Sequence, residues 1–417
     1  MKRKCDLAVI GGGPSGLAAA IKSWNLGVKA VVLIHENDIL GGVLPQCIHT
    51  GFGLHYFGED LTGPEFAAKL VEQLKNTEVE VLNGAYASQL QVESRNLKRI
   101  YGYRFGEAFE IESKAVIYAA GCRERSRFEV GILGDRPAGV YTAGEAQTLM
   151  DIYGILPGSE IVIVGSGDVG LIMARRFALE GAKVKAVVEI MPYPGGLTRN
   201  VVQCLEDFNI PLYLRHSVVE IKGLRRVESV KLVRVDENLN PIPNTDFEIK
   251  CDAVILAVGL KPKSELLAKA GALIDDATGG PIVNDWLETT LPGVFAAGNV
   301  LVVNDLVDYA AEQGERAAES AAKFILEGKL PLAKLKSVVP GRNVRLIVPQ
   351  LVSCLQDVVF YGRVRKPEEN VLVRFEEINR FFKLPAVRPP EMFRFKIPAK
   401  DLSRIHGEKL TINIMEV

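Results

Sequence analysis

The residues best suited to chemistry in this chain lie in two glycine-rich segments with the spacing Gly-x-Gly-x-x-Gly. The two copies are formed by Gly11, Gly13 and Gly16, and by Gly165, Gly167 and Gly170. In this spacing the first glycine allows a tight turn, the second lets the backbone approach a pyrophosphate, and the third allows close helix packing. The helix that follows offers free N–H groups to phosphates. The spacing therefore predicts two dinucleotide sites.

The elements that must position these glycines are also visible in the sequence. Each copy follows a short apolar run, precedes an Ala-rich stretch, and leads to a second apolar run that ends in Glu36 or Glu189. This context of strand, helix and acidic residue makes each motif more specific than an isolated copy. The alternative is that the glycines only permit tight turns between strand and helix. We expect both copies to be nucleotide-binding βαβ units.

The two glutamates are placed to accept hydrogen bonds from ribose hydroxyls. Glu36 lies 20 residues after Gly16, and Glu189 lies 19 residues after Gly170. A carboxylate at this position pairs with a free 2′-hydroxyl and repels a 2′-phosphate. The MPYPGG segment that follows Glu189 contains no Arg or Lys to bind such a phosphate. We therefore expect the second site to prefer NADH over NADPH.

The 417 residues are enough for two to four domains. The runs AVIYAAG and AVILAVG each end a module as a buried strand that leads into a glycine turn. We expect residues 1–140 and 261–330 to form one domain, residues 141–260 a second domain inserted in it, and residues 331–417 a small β-rich domain. The predicted fold class is α/β, with two Rossmann-like, three-layer dinucleotide-binding domains and the C-terminal β-rich domain.

Residues 331–417 differ from the rest of the chain in pattern and charge. Short alternating runs such as NVLVRFEE and MFRFKIPA are typical of short strands. The region has 16 Lys plus Arg against 9 Asp plus Glu, although the whole chain has a net charge of −1. It could fold back on its own chain or meet an acidic partner. Because it offers few residues for an independent core, we expect a subunit interface whose deletion spares the nucleotide sites.

The composition excludes several classes of protein. With 50 Lys plus Arg against 51 Asp plus Glu, the chain has no overall charge that would attract nucleic acid. No uninterrupted apolar stretch reaches the ~18 residues needed to cross a bilayer. The six cysteines are scattered without a CxxC pair, which argues against structural zinc and for a reducing compartment. We expect no nucleic-acid partner, no membrane span, no metal and a cytoplasmic location.

Over roughly residues 5–328, the sequence resembles the two-dinucleotide-binding-domain flavoproteins of the pyridine nucleotide-disulfide oxidoreductase superfamily. The resemblance rests on GGGPSG, Glu36, the Gly-Gly pair at Gly41 and Gly42, YAAG, GSGDVG, AVG and VFAAGN. It implies that the first domain holds FAD and that the inserted domain holds NAD(H).

The resemblance also implies where other residues contact the cofactors. Ala87 would place its backbone near the adenine of FAD, and Ala120 and Gly121 would line the flavin site. Further cofactor contacts are expected at Pro14, Ser15, Gly42, Val43, Asp168, Val169 and Gly259.

The VFAAGN segment and the helix after it would complete the flavin site. By resemblance, Gly298 and Asn299 would meet the ribityl chain. The family usually has Asp at the second of these positions, but Asn can also bond a hydroxyl, so we expect FAD to be retained. Val307 and Asp308 would begin a helix that points at the pyrimidine end of the flavin, where its dipole could stabilise an anionic ring.

The thiol pairs of disulfide reductases are missing at the positions where the family carries them. In one branch two cysteines follow the Gly-Gly pair, and Leu44 and His49 stand at those positions here. In another branch a CxxC lies before the second glycine motif, where this chain has Ala143 and Ala146. Since disulfide reduction needs two thiols to pass electrons, we expect no such activity.

The phrases GGVLPQC and DRPAGVYTAGEAQ resemble a narrower branch. It contains the flavoprotein subunits of hydrogen cyanide synthase, opine oxidase and heteromeric sarcosine oxidase, and proteins that accompany anaerobic glycerol-3-phosphate dehydrogenase-like partners. The resemblance implies one component of a hetero-oligomer, in which electrons leave through a second flavoprotein dehydrogenase or oxidase subunit.

Cys47, His49 and His55 are the candidates for catalytic chemistry near the flavin. His49 either tunes the flavin or relays a proton, or it is a hydrogen-bonded histidine that packs against the ring. Cys47 is either a redox-active thiolate or a small buried hydrophobe. Arg123 and Arg125 either pair with cofactor phosphates or belong to a solvated charged loop.

These observations favour an FAD-dependent, NAD(H)-linked oxidoreductase that transfers hydride between the two cofactors. Its expected role is the electron-transfer subunit of a heteromeric dehydrogenase or oxidase that acts on an amino acid, an opine or a glycerol-3-phosphate-like substrate. One alternative is a self-contained NADH oxidase or peroxidase that uses Cys47. Another is a nucleotide-sensing or scaffold subunit with structural FAD.

Overall fold

A computed structural model of the chain describes residues 1–331 and 333–416. They form two compact units. One contains residues 1–122 together with the described residues from Pro262 onward, and the other is Arg123–Lys261. The predicted α/β fold class, with one Rossmann-like unit inserted in another, is confirmed. The inserted unit begins at Arg123, ahead of the boundary at residue 141 that the sequence pattern suggested.

The N-terminal part of the first unit alternates strands and helices. Its elements are β1 (Lys2–Ile10), α1 (Pro14–Asn25), β2 (Val31–Ile34), β3 (Thr50–Phe52), β4 (Leu61–Thr62), α2 (Gly63–Lys75), β5 (Glu80–Leu82), β6 (Ala85–Ser94), β7 (Leu97–Arg104) and β8 (Glu107–Tyr118). A parallel sheet has the order β5-β2-β1-β8, and β6 and β7 extend β8 as an antiparallel ladder. The last four residues of β1 are buried, as expected for a central strand covered on both faces.

The inserted unit repeats this plan with a parallel sheet of its own. Its elements are β9 (Cys122–Glu124), β10 (Leu133–Gly134), β11 (Val140–Thr142), α3 (Ala143–Asp151), β12 (Glu160–Val164), α4 (Asp168–Leu179), β13 (Lys183–Glu189), α5 (Thr198–Cys204), β14 (Leu212–Leu214), β15 (His216–Lys222), β16 (Ser229–Arg234), β17 (Phe247–Lys250), β18 (Ala253–Leu256) and β19 (Leu260–Pro262). The parallel sheet has the order β11-β18-β12-β13-β14. A second sheet has the order β10-β15-β16-β17.

The returning chain completes the first unit. Its elements are α6 (Glu265–Lys269), β20 (Val294–Ala296), α7 (Val307–Glu327), β21 (Lys336–Pro340), β22 (Val344–Val348), β23 (Leu351–Val352), β24 (Val358–Val364), β25 (Glu368–Phe375), β26 (Arg380–Val387), β27 (Phe393–Ile397), α8 (Ala399–Leu402) and β28 (Lys409–Glu416). Strand β20 pairs with the end of β8 in parallel, and α7 packs on α1. The two helices come close at Gly314 because glycine has no Cβ. A Cβ there would lie 2.1 Å from the backbone oxygen of Ser15.

The C-terminal region is β-rich and has an apolar core of its own. Its strands form one sheet in the order β23-β21-β28-β25-β26 and another in the order β22-β24-β27. Aromatic and branched residues fill this core, among them Phe360, Phe375 and Ile412, each with no exposed surface. The expectation of few core residues was therefore wrong, because the side chains that alternate along these short strands meet between the two sheets.

The same region also packs on the rest of the first unit. Leu346 and Val348 lie in the main core of that unit. The amide and the hydroxyl of Ser353 donate to the buried carboxylate of Asp285 at 3.0 and 2.7 Å. Arg363 pairs with Asp305, just before α7. Of the two alternatives that its charge left open, folding back on its own chain is the one that these contacts support.

Candidate functional site

The first glycine motif forms the tight turn between β1 and α1. Gly11 has a φ of +114°, and a Cβ there would lie 2.2 Å from the backbone oxygen of Ala119. A Cβ at Gly16 would lie 1.7 Å from the backbone oxygen of Gly11. Gly13 is the N-cap of α1, and a Cβ there would meet only the Cα of Gly42, at 3.8 Å. Gly11 and Gly16 therefore close the turn, while Gly13 borders open space.

The start of α1 has features that fit a phosphate group. Pro14 occupies its first turn. The Ser15 hydroxyl is buried and has no hydrogen-bond partner among the described residues. Buried hydroxyls almost always have a partner, and N–H groups at a helix N-terminus attract anions. A Cβ at Gly298 would lie 3.0 Å from this hydroxyl. The residues present thus fit the pyrophosphate of a dinucleotide.

Glu36 is the second residue after the end of β2, and its side chain is half-exposed. Its carboxylate pairs with Lys263 at 2.9 Å. An exposed ion pair of this kind contributes little to stability, about 0 to 1 kcal/mol. The pair therefore leaves the carboxylate available to a ribose hydroxyl.

The end of β8 leads into the segment predicted to line the flavin site. Gly121 has a φ of +71°, and a Cβ there would have no neighbour within 4 Å. Ala120 is half-buried and lies beside the first motif, since a Cβ at Gly11 would be 3.1 Å from its amide nitrogen. Ala87 is half-buried on β6, in register with Gly102 of β7.

A network of amide side chains surrounds Asn299. Its Oδ1 accepts hydrogen bonds from the backbone amide of Asn304 at 3.0 Å and from the side-chain Nδ2 of Asn304 at 3.3 Å. Its Nδ2 donates to Cys122 Sγ at 3.6 Å. The fully buried Gln313 bonds Asn304 and accepts from the Gly298 amide at 3.0 Å. Sequence reasoning missed Asn304, Gln313 and Cys122. The available signal was a glutamine on the apolar stripe of α7.

Asp308, the second residue of α7, is buried and holds a loop. Its carboxylate accepts from the amides of Gly53 at 3.2 Å, His55 at 3.0 Å and Tyr56 at 2.8 Å. The Tyr56 hydroxyl donates to Glu315 at 2.7 Å, and burial together with this bond raises the pKa of Tyr56.

Helix α7 begins at Val307, as predicted. The structure adds that the Asp308 side chain fixes the loop that follows Cys47 and His49.

The candidate catalytic residues lie between the Gly-Gly turn and this loop. Cys47 is half-buried, and its Sγ donates to the Val43 carbonyl at 3.3 Å, while Val43 itself is exposed. His49 is half-buried and donates from Nδ1 to the Thr50 carbonyl at 2.9 Å. Because a carbonyl can only accept, Nδ1 carries a proton, and in the neutral ring Nε2 is then an acceptor. His55 is exposed and stacks on Tyr309.

The second glycine motif repeats the geometry of the first. Gly165 has a φ of +98°, and a Cβ there would lie 2.2 Å from the backbone oxygen of Ala257. A Cβ at Gly170 would lie 2.5 Å from the backbone oxygen of Gly165. A Cβ at Gly167, the N-cap of α4, would have no neighbour within 4 Å. Each unit thus contains one tight turn and one open glycine at the start of a helix.

Glu189 ends β13 and is buried beside this motif. Its Oε2 accepts from the amide and the hydroxyl of Ser166 at 3.0 and 2.6 Å, and its Oε1 accepts from the Met191 amide at 2.9 Å. The Ser166 hydroxyl also accepts from the Gly195 amide at 2.8 Å. The carboxylate is therefore held in one orientation. Sequence reasoning missed Ser166, which lies inside the motif itself.

Asp168 begins α4 and binds the loop that follows Glu189. Its Oδ1 accepts from the Leu197 amide at 2.8 Å and from Asn200 Nδ2 at 2.7 Å. Val169 is exposed. Gly259 has a φ of +98°, and its carbonyl accepts from the Arg125 amide at 3.1 Å.

The arginine-rich segment after Cys122 is partly explained by its own contacts. Arg123 pairs with both carboxylate oxygens of Glu129, at 2.9 and 3.0 Å. With Arg123 as the largest cause, the pKa of Glu129 is lowered to about 2. This pair supports the charged-loop interpretation of Arg123.

Within the part of the chain that the structure describes, no group of three or more His, Cys, Asp or Glu side chains is arranged to hold a metal ion. No helix among the described residues is both long and apolar enough to cross a membrane.

Comparison with known proteins identifies the family to which this fold and these two motifs belong. Residues 5–314 match the family model described as pyridine nucleotide-disulphide oxidoreductase. The chain therefore belongs to the pyridine nucleotide-disulphide oxidoreductase family, whose members bind FAD and NAD(P)H.

Individual relatives are distant. One of the alkyl hydroperoxide reductase subunits of Pseudomonas aeruginosa is 27% identical over 332 residues, which cover 78% of this chain and 59% of the relative. One of the opine oxidase subunits of Agrobacterium tumefaciens is 25% identical over 351 residues, which cover 80% of this chain and 66% of the relative. The chain thus spans less than two thirds of the length of both relatives.

A solved structure supports the fold. The crystal structure of T. acidophilum thioredoxin reductase aligns with a TM-score of 0.64 and 23% sequence identity. The alignment covers 77% of this chain and 98% of that chain.

Proposed function

We propose that this chain is an FAD-dependent oxidoreductase linked to NAD(H). The main support is that, in each unit, the first glycine of the motif packs against the backbone just after a neighbouring strand. The distance from a Cβ at Gly11 to the Ala119 oxygen and the distance from a Cβ at Gly165 to the Ala257 oxygen are both 2.2 Å. Each of these turns is followed by a helix and then by a second strand. Glu36 lies just beyond the second strand of the first unit, and Glu189 ends the second strand of the other. Two such sites in one chain suit two dinucleotides.

The first unit is proposed to hold FAD and the unit Arg123–Lys261 to hold NAD(H). Gly13, Ser15 and Gly42 would surround the FAD pyrophosphate, and Asn299 would meet the ribityl chain. FAD, when bound, supplies a ring that exchanges a hydride with nicotinamide. The protein contributes orientation and charge, including the N-terminus of α7 at Val307.

NADH is the proposed nicotinamide cofactor. Glu189 is buried and fixed by Ser166 and Met191, so it would present a negative charge in a constant place. A free 2′-hydroxyl can donate to that carboxylate, whereas a 2′-phosphate is repelled.

His49 is the proposed proton-handling residue. Its Nδ1 proton is committed to the Thr50 carbonyl, which leaves Nε2 to accept or relay a proton. The Cys47 thiol donates to the Val43 carbonyl, and no redox step is proposed for it.

The proposed role in the cell is the electron-transfer subunit of a heteromeric dehydrogenase or oxidase, in the cytoplasm. Its partner would be a second flavoprotein that holds an amino acid, an opine or a glycerol-3-phosphate-like substrate. The similarity to one of the opine oxidase subunits, which by name belongs to a larger enzyme, supports this role. The basic C-terminal region, besides packing on the first unit, is proposed to contact this partner.

The experiment is anaerobic mixing of the purified protein with NADH, with flavin absorbance as the readout. We expect a yellow protein whose flavin is bleached by NADH, with the same rate in Cys47→Ser. Full flavin occupancy without bleaching would contradict the proposal and favour a structural flavin. Rapid NADH consumption with oxygen or peroxide by the protein alone, lost in Cys47→Ser, would favour the self-contained oxidase or peroxidase.

A further inference from the structure

His35 lies between the first glycine motif and the turn that faces it. It follows β2 directly, precedes Glu36, and is only 4% exposed. Its Nδ1 accepts a hydrogen bond from the Gly12 amide at 3.2 Å, and its Nε2 lies 2.8 Å from the Ile39 carbonyl. An amide N–H must donate and a carbonyl must accept. The ring is therefore neutral, with its proton on Nε2.

Gly12 occupies the position x of the first Gly-x-Gly, which the motif itself does not require to be glycine. Its contacts explain why it is glycine. A Cβ there would lie 2.7 Å from His35 Cγ and 2.9 Å from His35 Nδ1. The Gly12 carbonyl accepts from the Gly41 amide at 2.8 Å. Its N–H is thus bound by His35 and its C=O by the Gly-Gly turn. Both polar groups of this loop residue are fixed by elements outside the motif.

The imidazole is hydrogen-bonded to both segments that border the proposed pyrophosphate site. On one side it bonds Gly12, next to Gly13. On the other it holds Ile39, at the start of the turn that leads to Gly42. A flexible glycine loop loses conformational freedom when it binds a ligand, and a loop that is already fixed loses less. A neutral acceptor can fix the loop without adding charge near a pyrophosphate.

We propose that His35 is a positioning residue for FAD: its Nδ1 orders the Gly11–Gly13 turn in the conformation that receives the pyrophosphate. This inference rests on the proposed function of the first unit as the FAD site. His35 does not touch the reacting atoms. It acts through the amide of Gly12 and through Ile39.

The test compares side chains that keep or lose an acceptor at the position of Nδ1. In His35→Asn the Oδ1 atom can replace Nδ1, whereas in His35→Gln the amide reaches toward the position of Nε2. His35→Leu has no acceptor. His216→Leu is the matched control because this ring bonds the Leu214 carbonyl within the inserted unit. Apo-protein of each variant is titrated with FAD by flavin fluorescence, and thermal unfolding of each apo-protein is recorded.

We expect His35→Leu and His35→Gln to weaken FAD binding about tenfold, the effect of one lost hydrogen bond to an ordered amide. His35→Asn should stay within about threefold of the wild type, and His216→Leu should match it. Equal affinity in all variants, or equal losses in His35→Asn and His35→Gln, would overturn the inference. If His35→Leu does not fold, the contrast between Asn and Gln decides. A wild-type protein that takes up no FAD would instead contradict the proposed function.

Discussion

Arg394 of β27 forms an ion pair with Glu312 of α7, one turn after Asp308. Near this pair, Tyr309 of α7 contacts the fully buried Tyr361 of β24, with ring centroids 6.0 Å apart. The C-terminal sheets therefore cover the first turns of the helix that is proposed to face the flavin. A region that the sequence suggested as a detachable interface is part of the support for that helix.

Deleting residues 331–417 should consequently destabilise the first unit. Removal of Leu346 and Val348 from its core alone takes away about 1.5 to 3 kcal/mol for each side chain. We expect a lower unfolding temperature and loss of most FAD, measured by calorimetry and by flavin absorbance. Lys334→Ala, which breaks an exposed pair with Glu408, is the control and should change neither. A truncated chain with full flavin content and unaltered unfolding would disprove this.

Substitution of two glycines in the first motif should have different effects. Gly13→Val should leave the fold intact but block the pyrophosphate, because a Cβ there meets only the Cα of Gly42 at 3.8 Å. Gly16→Val should destabilise the apo-protein as well, because its Cβ would lie 1.7 Å from the Gly11 oxygen. Flavin content and thermal unfolding distinguish the two variants. Normal flavin content in both variants would contradict the assignment of the first motif as the FAD site.

Glu189→Arg should narrow or reverse the preference for NADH over NADPH, because it replaces the repelling carboxylate with a cation that attracts the 2′-phosphate. Ser166→Ala, which removes the 2.6 Å bond that orients Glu189, should have a smaller effect in the same direction. Stopped-flow flavin reduction with each cofactor measures the ratio of efficiencies. Equal efficiencies in the unaltered protein would contradict the assignment.

The buried Lys98 should make the stability of the protein depend on pH. Burial is the main cause that lowers its pKa to about 8 from the ordinary 10.5. Between these values the unfolded chain keeps a proton that the folded chain has lost, so the free energy of unfolding should rise with pH. The maximum slope for one proton is about 1.4 kcal/mol per pH unit.

Denaturant unfolding between pH 7.5 and 10, values chosen to span roughly this window, tests that dependence. Lys98→Met should flatten the profile, whereas the exposed Lys75→Met should keep it. Parallel profiles in Lys98→Met and the unaltered protein would show that the rise comes from other groups.

The positions of Gly11 and Gly165 could be predicted from sequence because the physics of their turns is local. Each must bring a strand end, a turn and a helix together within six residues, and few other residue types can do so. The partners of Asp308 and His35 could not be predicted in this way. The first binds amides that are distant in sequence, and the second binds through a variable position of the motif.

The C-terminal region shows a different limit. Its alternating runs correctly predicted strands, but alternation alone does not reveal which strands pair or which faces meet. Its positive charge did not distinguish an acidic partner from acidic residues of its own chain, such as Asp305 and Glu312. Ion pairs between distant segments depend on the finished fold.

The insertion of Arg123–Lys261 between β8 and β20 also sets an order of events during synthesis. Val116 and Val294 are neighbours in one sheet, yet the ribosome makes the whole inserted unit between them. At ~5 to 20 residues per second, that delay is on the order of 10 to 40 seconds. The inserted unit can fold first, while β8 waits with an open edge. Newly made first units should therefore depend on protection of this edge, for example by chaperones, until β20 has been made.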